Sequence, residues 1–265
     1  MNTISFITAN YVARELGYQM TEGWMQGDTA TQAAFKPIAT FGQKLEAMLS
    51  DIKALGFTSL DLWTGHLNPD WATPEHLTVA KDLLAKHKVR VTSMAGWVAS
   101  LDYLERSCKV ANALGVGILA GGAPMLKENR ADAVAILKHH GVKLGLENHP
   151  EKTPAEVLEQ IADGGDGHVG TSPDTGWWGT HGYDAPKALR ELKGHMFTVH
   201  LKDIKAVGGH DTCRYGEGIV NIQGCVQALQ EIGYDGPLGI EHEPERFDPA
   251  EDVRESLHLL QGWLK

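Results

Sequence analysis

The stretch that decides the fold is IQGCVQALQEIGYDGPLGIE, residues 222–241, in which a helical pattern leads into a short strand. The helical pattern ends at Ile232, and Gly233 then supplies the residue that a left-handed helix end favours. The run Leu238–Glu241 that follows has the composition of a buried parallel strand. A helix that leads directly into such a strand is the repeating unit of an α/β protein.

The same unit recurs along the whole chain. The predicted strands are Thr3–Thr8, Ser59–Trp63, Val89–Ala95, Val116–Ala120, Lys143–Glu147, His168–Ser172, Met196–Leu201 and Leu238–Glu241. The predicted helices are Gly42–Leu55, Pro74–His87, Leu101–Leu114, Asn129–His140, Pro154–Asp163, Ala185–Leu192, Ile222–Ile232 and Pro249–Leu264. Eight such units predict a single (β/α)8 TIM barrel over residues 1–265. An open doubly wound sheet is disfavoured because no glycine-rich phosphate loop follows the first strand.

The bulk composition excludes several partners. The formal net charge is −10 and no basic run stands out, which argues against nucleic acid and against anionic membranes. The three cysteines match no zinc module, so we expect reduced thiols in a cytoplasmic protein. The N-terminal residues do not have the pattern of a signal peptide, and no apolar stretch is long enough to cross a membrane.

Four consecutive predicted strands end in a side chain that can bind a metal ion. These side chains are Glu147, Asp174, His200 and Glu241. The carboxyl ends of the strands meet at one mouth of a barrel, where the three carboxylates would repel one another without a cation. Oxygen ligands with one imidazole suit a divalent ion, for which we favour Mn²⁺, with Mg²⁺, Co²⁺ and Zn²⁺ as alternatives. A helix cap or a surface ion pair would explain any one of these residues alone.

Five segments resemble the xylose-isomerase-like TIM barrels, the sugar phosphate isomerases and epimerases that are related to endonuclease IV. The segments are LGFTSLDLW (55–63), LGLENHPEKT (144–153), SPDTGW (172–177), TVHLKDIK (198–205) and GEGIVNIQGCVQALQEIGYDGPLGIEHEP (216–244). The resemblance implies metal ligation by the four strand-end residues. It also implies acid and base roles for Glu147 and Glu241.

The sequence departs from the family pattern after the sixth strand. Many members carry histidine soon after the aspartate, whereas here Asp174 is followed by Thr-Gly-Trp177-Trp178 and the nearest histidine is His181. This departure weakens the assignment as a ketose epimerase in particular. DNA repair of the endonuclease IV type is weaker still, because that metal cluster needs several more histidine ligands.

His149 is a third candidate catalytic residue. It lies two positions after Glu147, so the two side chains share a strand face, and an imidazole that titrates near neutrality is a natural general base. The alternative is that His149 only orients a ligand or caps the next loop. The segment also resembles barrel subunits that remove the aglycone from 3-keto-glycosides by β-elimination. That resemblance implies a lyase, in which a distinct second subunit takes part.

Five further side chains are candidates for binding the substrate: His66, Trp97, Trp177, Lys202 and Arg214. Indole faces stack on sugars, and the polar members can hydrogen-bond hydroxyl groups or an oxyanion. The alternatives are core packing of the tryptophans, a solvated Arg214, an exposed His66 and an ion pair of Lys202 with Glu241. The segment 19–36 is long for a βα connection and is interpreted as a lid, a subunit contact or an insertion.

The leading functional hypothesis is a metal-dependent sugar isomerase or epimerase. A base would remove the proton beside a metal-polarised carbonyl, and reprotonation of the enediolate would give the isomer or the epimer. The alternatives are a lyase that acts on a 3-keto sugar or glycoside with His149 as base, and a sugar-binding barrel without catalysis. We expect a small carbohydrate as substrate and a homodimer or homotetramer.

Overall fold

Eight parallel strands form the sheet of the computed structural model, which describes residues 2–265. They are β1 (Ile4–Ile7), β2 (Ser59–Trp63), β3 (Arg90–Ala95), β4 (Ile118–Gly121), β5 (Lys143–Leu146), β6 (Val169–Thr171), β7 (Val199–Leu201) and β10 (Leu238–Ile240). Two short strands, β8 (Asp203–Ile204) and β9 (Thr212–Cys213), form a separate antiparallel pair. The sheet order is β6-β5-β4-β3-β2-β1-β10-β7, which follows the chain around a barrel.

The barrel closes between β6 and β7 through irregular pairing. Thr171 bridges Met196 and Asp174 bridges His200, both in parallel. The backbone N–H of His200 donates to the carbonyl of Pro173 at 2.9 Å. The prediction of a (β/α)8 barrel is therefore confirmed, and its closing seam carries two of the strand-end residues.

Ten α-helices lie around the sheet within residues 2–265. They are α1 (Trp24–Phe35), α2 (Ile38–Ala54), α3 (Pro74–His87), α4 (Leu101–Leu114), α5 (Leu126–His140), α6 (Pro154–Ile161), α7 (Thr175–Thr180), α8 (Ala185–Glu191), α9 (Ile222–Glu231) and α10 (Ala250–Trp263). Short 3₁₀ turns cover Thr8–Tyr11, Arg14–Leu16 and Gly164–Gly167. None of the helices within residues 2–265 combines the length and the apolar character that crossing a bilayer requires.

The helix boundaries follow local capping chemistry. Thr73 and Thr153 each accept a hydrogen bond from the backbone three residues later, with proline at the first helical position. Helix α10 begins at Ala250, one residue later than predicted, and the N–H of Ala250 donates to Asp248 Oδ1 at 3.0 Å. Helix α5 begins at Leu126, and the predicted start at Asn129 is instead a non-helical residue inside it.

Two helices at the mouth were not predicted. Helix α1 occupies most of the segment 19–36, where we expected a loop. Its sequence contains Gly27 and two threonines, so its apolar face is weak. Helix α7 is a short helix that Asp174 begins by accepting a hydrogen bond from the N–H of Gly176 at 2.7 Å. Both helices bring side chains to the carboxyl ends of the strands.

Candidate active site

Buried charged side chains gather at the carboxyl-terminal mouth of the barrel. The predicted residues Asp174, His200 and Glu241 all lie there and are at most 5% exposed. Glu147 follows β5 at the same mouth and is partly buried. Strand ends β5, β6, β7 and β10 are neighbours around the closed barrel, which explains why residues so far apart in the chain meet.

Lys202 lies in the middle of the carboxylates. Its Nζ is 2.6 Å from Glu241 Oε1, 3.0 Å from Asp174 Oδ2 and 3.2 Å from Glu243 Oε2. The side chain is 2% exposed, so this ammonium group is held by ion pairs almost without water. We expected Lys202 either to pair with Glu241 or to bind an oxyanion of the substrate, and the structure places its charge against Glu241 and two further carboxylates of the protein.

Side chains from α7 and from the loop after β5 hold the backbone of Asp174 and Lys202 in place. The amide of Asn148 donates to the carbonyl of Asp174 and accepts from its N–H, at 3.0 and 2.7 Å. The hydroxyl of Thr175 makes the same pair of bonds with the backbone of Lys202, at 2.9 and 2.8 Å. A Cβ atom on Gly176 would lie 2.6 Å from the Lys202 stem, so only glycine lets α7 approach this closely.

His200 lies between two carboxylates from opposite parts of the sequence. Its Nε2 is 3.1 Å from Asp61 Oδ2, and its Nδ1 is 3.0 Å from Glu241 Oε2. Burial lowers the pKa of His200, but the contacts with Asp61 and Glu241 outweigh burial and raise it well above its usual value. The imidazole therefore supplies a second positive charge to the cluster.

The carboxylates of the cluster differ in their affinity for protons. Burial, together with the charges of Asp174 and Glu241, raises the pKa of Glu147 to about 8. Burial also raises the pKa of Asp174 above its usual value, against the opposing effect of Lys202. Burial acts in the same direction on Glu241, but Lys202 and His200 outweigh it and lower the pKa of that carboxyl strongly. The site thus holds one carboxyl that keeps its proton near neutrality and one that does not.

The donor set fits a divalent cation. Within residues 2–265, no group of three or more His, Cys, Asp or Glu side chains is arranged as a metal cage, and Lys202 lies between Asp174 and Glu241. Asp174 Oδ2 and Glu241 Oε2 are buried, and each has an ion-pair contact of 3.0 Å, with Lys202 Nζ and with His200 Nδ1, that lacks hydrogen-bond geometry. Buried carboxylate oxygens held only by ion pairs, beside a glutamate that takes up a proton, are suited to a bound cation.

Trp177 is covered on its faces by histidines. Its ring centroid is 4.0 Å from that of His149 and 3.7 Å from that of His210. Two rings this close to one indole cannot fit on the same face, so they lie on opposite faces. The predicted stacking of a sugar on Trp177 is therefore disfavoured, and the neighbouring Trp178 is fully buried. His210 also places its Nε2 3.4 Å from Lys202 Nζ.

His66 and Trp97 occupy different environments. His66 is 2% exposed, lies 3.2 Å from the hydroxyl of Thr8, and packs edge-on against Phe35 and Trp63. It is a core histidine in this structure and does not contact the carboxylates. Trp97 is 55% exposed and lies across Gly122, so its ring is open to a ligand at the rim.

Arg214 makes its contacts away from the cluster. Its Nε and Nη2 donate to Asp252 Oδ1 on α10 at 3.0 and 2.6 Å. The other oxygen of Asp252 lies 3.1 Å from Nε2 of His242, whose Nδ1 is 2.8 Å from the hydroxyl of Thr212. This network joins β10 to α10, so the predicted role of Arg214 in binding substrate has no support from its contacts.

Helix α1 reaches the mouth through Trp24. The indole Nε1 donates to Glu243 Oε1 at 3.1 Å, and the ring packs edge-on against Trp63. The segment 19–36 therefore lies at the mouth, the position that a lid would take.

Sequence reasoning left Asp61, His210 and Glu243 without a role. A charged residue in the middle of the apolar strand LDLW was the available signal for Asp61. No comparable signal marks His210, because its loop position gives no face or spacing to argue from.

Comparison with known proteins gives one family and several relatives. Residues 49–263 match the xylose isomerase-like TIM barrel family. An uncharacterised protein of Methanocaldococcus jannaschii is 30% identical over 145 residues, which cover 51% of this chain and 47% of that protein. The L-ribulose-5-phosphate 3-epimerase UlaE of Escherichia coli is 34% identical over 94 residues, covering 35% of this chain and 31% of the epimerase.

A solved structure of an L-ribulose 3-epimerase superposes on the whole chain. Its TM-score is 0.71 at 16% identity, and the match covers 100% of this chain and 95% of that one. This likeness concerns the fold. The segments matched in the two curated relatives span less than half of each relative's length.

Proposed function

Because the chain belongs to the xylose isomerase-like TIM barrel family, we propose that it is a metal-dependent isomerase or epimerase of sugars. The observation that carries the proposal is the convergence of Asp174, His200 and Glu241 around Lys202, with Glu147 beside them. Such a cluster of buried, coupled carboxylates is costly for stability and is typical of sites that move protons.

Glu147 and Glu241 are the proposed proton-transfer groups. They follow β5 and β10, three positions apart around the closed barrel, so they approach a bound sugar from different sides. In the metal-free site the pKa of Glu241 is lowered, which suits the base, and the pKa of Glu147 is raised to about 8, which suits the acid. Removal of a proton on one face of the sugar and its return on the other inverts that carbon.

The four strand-end residues Glu147, Asp174, His200 and Glu241 are the proposed ligands of one divalent cation, with Mn²⁺ favoured. When bound, such a cation polarises a carbonyl and acidifies the neighbouring C–H bond. Lys202, held by Asp174 and Glu241, adds positive charge where the enediolate develops negative charge.

The curated relative UlaE supports a sugar as the substrate, since it is an L-ribulose-5-phosphate 3-epimerase. Its matched segment is short, so the assay below includes both phosphorylated and free ketoses. We further propose that the chain assembles as a homodimer or homotetramer, which sedimentation would test.

A lyase is the second candidate, and His149 favours it. Burial, with Lys202 and His181, lowers the pKa of His149, so the ring is neutral and able to accept a proton near neutrality. Stacking on Trp177 holds it at the mouth. In this alternative, His149 removes a proton beside the ketone of a 3-keto-glycoside and the aglycone leaves, with a distinct second subunit as a proposed partner.

One assay distinguishes the two candidates. The Mn²⁺-loaded protein is incubated in D₂O with L-ribulose 5-phosphate, with free ketoses, and separately with a 3-keto-glycoside that has a chromogenic aglycone. We expect deuterium to enter a ketose, as followed by NMR, and Glu241→Gln to slow that exchange by about a hundredfold or more. Removal of the metal with EDTA should stop the exchange, and Mn²⁺ should restore it.

The matched control is Glu245→Gln, an exposed carboxylate in the same loop, which should retain full exchange. Release of the aglycone, slowed more by His149→Ala than by Glu241→Gln, would contradict the epimerase and support the lyase.

Tight binding of a ketose without any deuterium exchange would contradict both and support a sugar-binding barrel without catalysis.

A further inference from the structure

Asp61 is a buried carboxylate that the proposed reaction does not use. It lies in the middle of β2, is 1% exposed, and its Oδ2 accepts hydrogen bonds from Ser93 Oγ at 2.6 Å and from His200 Nε2 at 3.1 Å. Its other oxygen, Oδ1, is buried and has no hydrogen-bond partner among the described residues. A half-satisfied carboxylate inside a barrel lowers stability, so stability does not account for its presence.

The two nitrogens of His200 make different kinds of contact. The Nε2 contact with Asp61 has the angle of a hydrogen bond. The Nδ1 contact with Glu241 Oε2 is an ion pair of 3.0 Å that lacks hydrogen-bond geometry. The ring is therefore oriented by Asp61, and its Nδ1 faces Glu241.

We propose that Asp61 is a positioning residue for His200, an inference that rests on the metal site of the proposed function. The imidazole is charged in the metal-free cluster and would lose one proton when a cation binds. By accepting the Nε2 proton, Asp61 then selects the neutral tautomer whose Nδ1 lone pair is free on the Glu241 side of the cluster. Ser93 holds the carboxylate in place from β3. The ligand atom assigned to His200 is therefore Nδ1.

The first test measures metal affinity, without any turnover. Mn²⁺ is titrated into the metal-free protein and into Asp61→Asn, and free Mn²⁺ is followed by electron paramagnetic resonance. Asparagine retains the size of the side chain and removes its charge. We expect the variant to bind Mn²⁺ about 10–100-fold more weakly.

Asp252→Asn is the matched control. Asp252 lies 3.1 Å from Nε2 of the buried His242 on the outer side of β10, so it repeats the histidine–carboxylate pair away from the cluster. The control should lose stability and retain its Mn²⁺ affinity. Equal affinity of Asp61→Asn and the unchanged protein would overturn the role of Asp61 and leave the metal site standing. No binding by the unchanged protein would overturn both.

The second test reads the tautomer directly and needs no variant. The Zn²⁺-loaded protein is diamagnetic, so ¹H–¹⁵N NMR identifies which nitrogen of His200 carries the proton. We expect a slowly exchanging, downfield proton on Nε2 and the metal on Nδ1. A proton on Nδ1, or a metal on Nε2, would overturn the proposal even if Asp61→Asn failed to fold.

Discussion

Two buried histidines near the mouth have the same exposure and opposite charge preferences. His66 and His200 are each 2% exposed. His66 has Phe35, Trp63 and the hydroxyl of Thr8 as neighbours, and burial, with a smaller effect of Arg14, lowers its pKa to about 3. Asp61 and Glu241 raise the pKa of His200 well above the usual value, against burial.

Burial alone therefore does not decide the charge of a side chain. Mainly apolar neighbours disfavour the charged form of His66. Two carboxylates at hydrogen-bond distance stabilise the charged form of His200 by more than the same loss of hydration costs. The charge of His200 therefore belongs to the cluster around Lys202 as a whole. Substitutions that remove one partner test this difference between His66 and His200 directly.

The largest effect is expected for Lys202→Met. Methionine fills a similar volume and removes the ammonium group from Asp174, Glu241 and Glu243. We expect the free energy of unfolding, measured by urea denaturation in EDTA, to fall by about 3–5 kcal/mol, because buried carboxylates lose their counter-charge. Mn²⁺ should recover more stability in the variant than in the unchanged protein.

The control for this prediction is Lys187→Met. Lys187 is exposed and lies 3.7 Å from Glu191 in a surface ion pair, so its loss should change stability by less than about 1 kcal/mol. A similarly small change for Lys202→Met would mean that the buried carboxylates are not stabilised by the ammonium group of Lys202. The contrast between His66 and His200 would then need another cause.

A smaller effect is expected for His66→Phe, and it depends on pH. The folded pKa of His66, about 3, lies below that of the unfolded chain, so acid protonates the unfolded state first. Stability is thus lost as the pH falls below the unfolded pKa, by roughly 2 kcal/mol between pH 7.5 and pH 5. The sign is opposite for His200, whose contribution is lost as the pH rises.

Urea denaturation at several pH values checks the prediction. The variant lacks the titrating ring, so the free energy of unfolding of the unchanged protein should fall further in acid than that of His66→Phe. Other titrating groups are common to both proteins and cancel in the difference. Parallel curves for the two proteins would show that His66 accepts a proton in the fold, and the comparison would fail.

The sequence predicted the fold and the residues that gather at the mouth better than it predicted which side chains those residues contact. Alternating helices and strands predict the barrel, and parallel strands bring Glu147 and Asp174 to one mouth. The partner of His200 was not predicted, because Asp61 lies 139 residues away and meets it only through barrel closure. The stacking of His210 on Trp177 was not predicted for a similar reason, since this loop histidine carries no periodic signal.

The smallest effect is expected for Ser93→Ala, which sharpens the His200 side of the comparison. Ser93 donates a 2.6 Å hydrogen bond to the same oxygen of Asp61 that faces His200. If the imidazole supplies most of the stabilisation of that carboxylate, the loss of the Ser93 hydroxyl lowers the free energy of unfolding by about 1 kcal/mol, the value of one hydrogen bond.

Urea denaturation should give a similar loss for Ser107→Ala, which removes a buried hydroxyl bonded to the carbonyl of Tyr103, far from the cluster. A loss for Ser93→Ala as large as that for Lys202→Met would show that the hydroxyl, and not His200, stabilises the charge of Asp61.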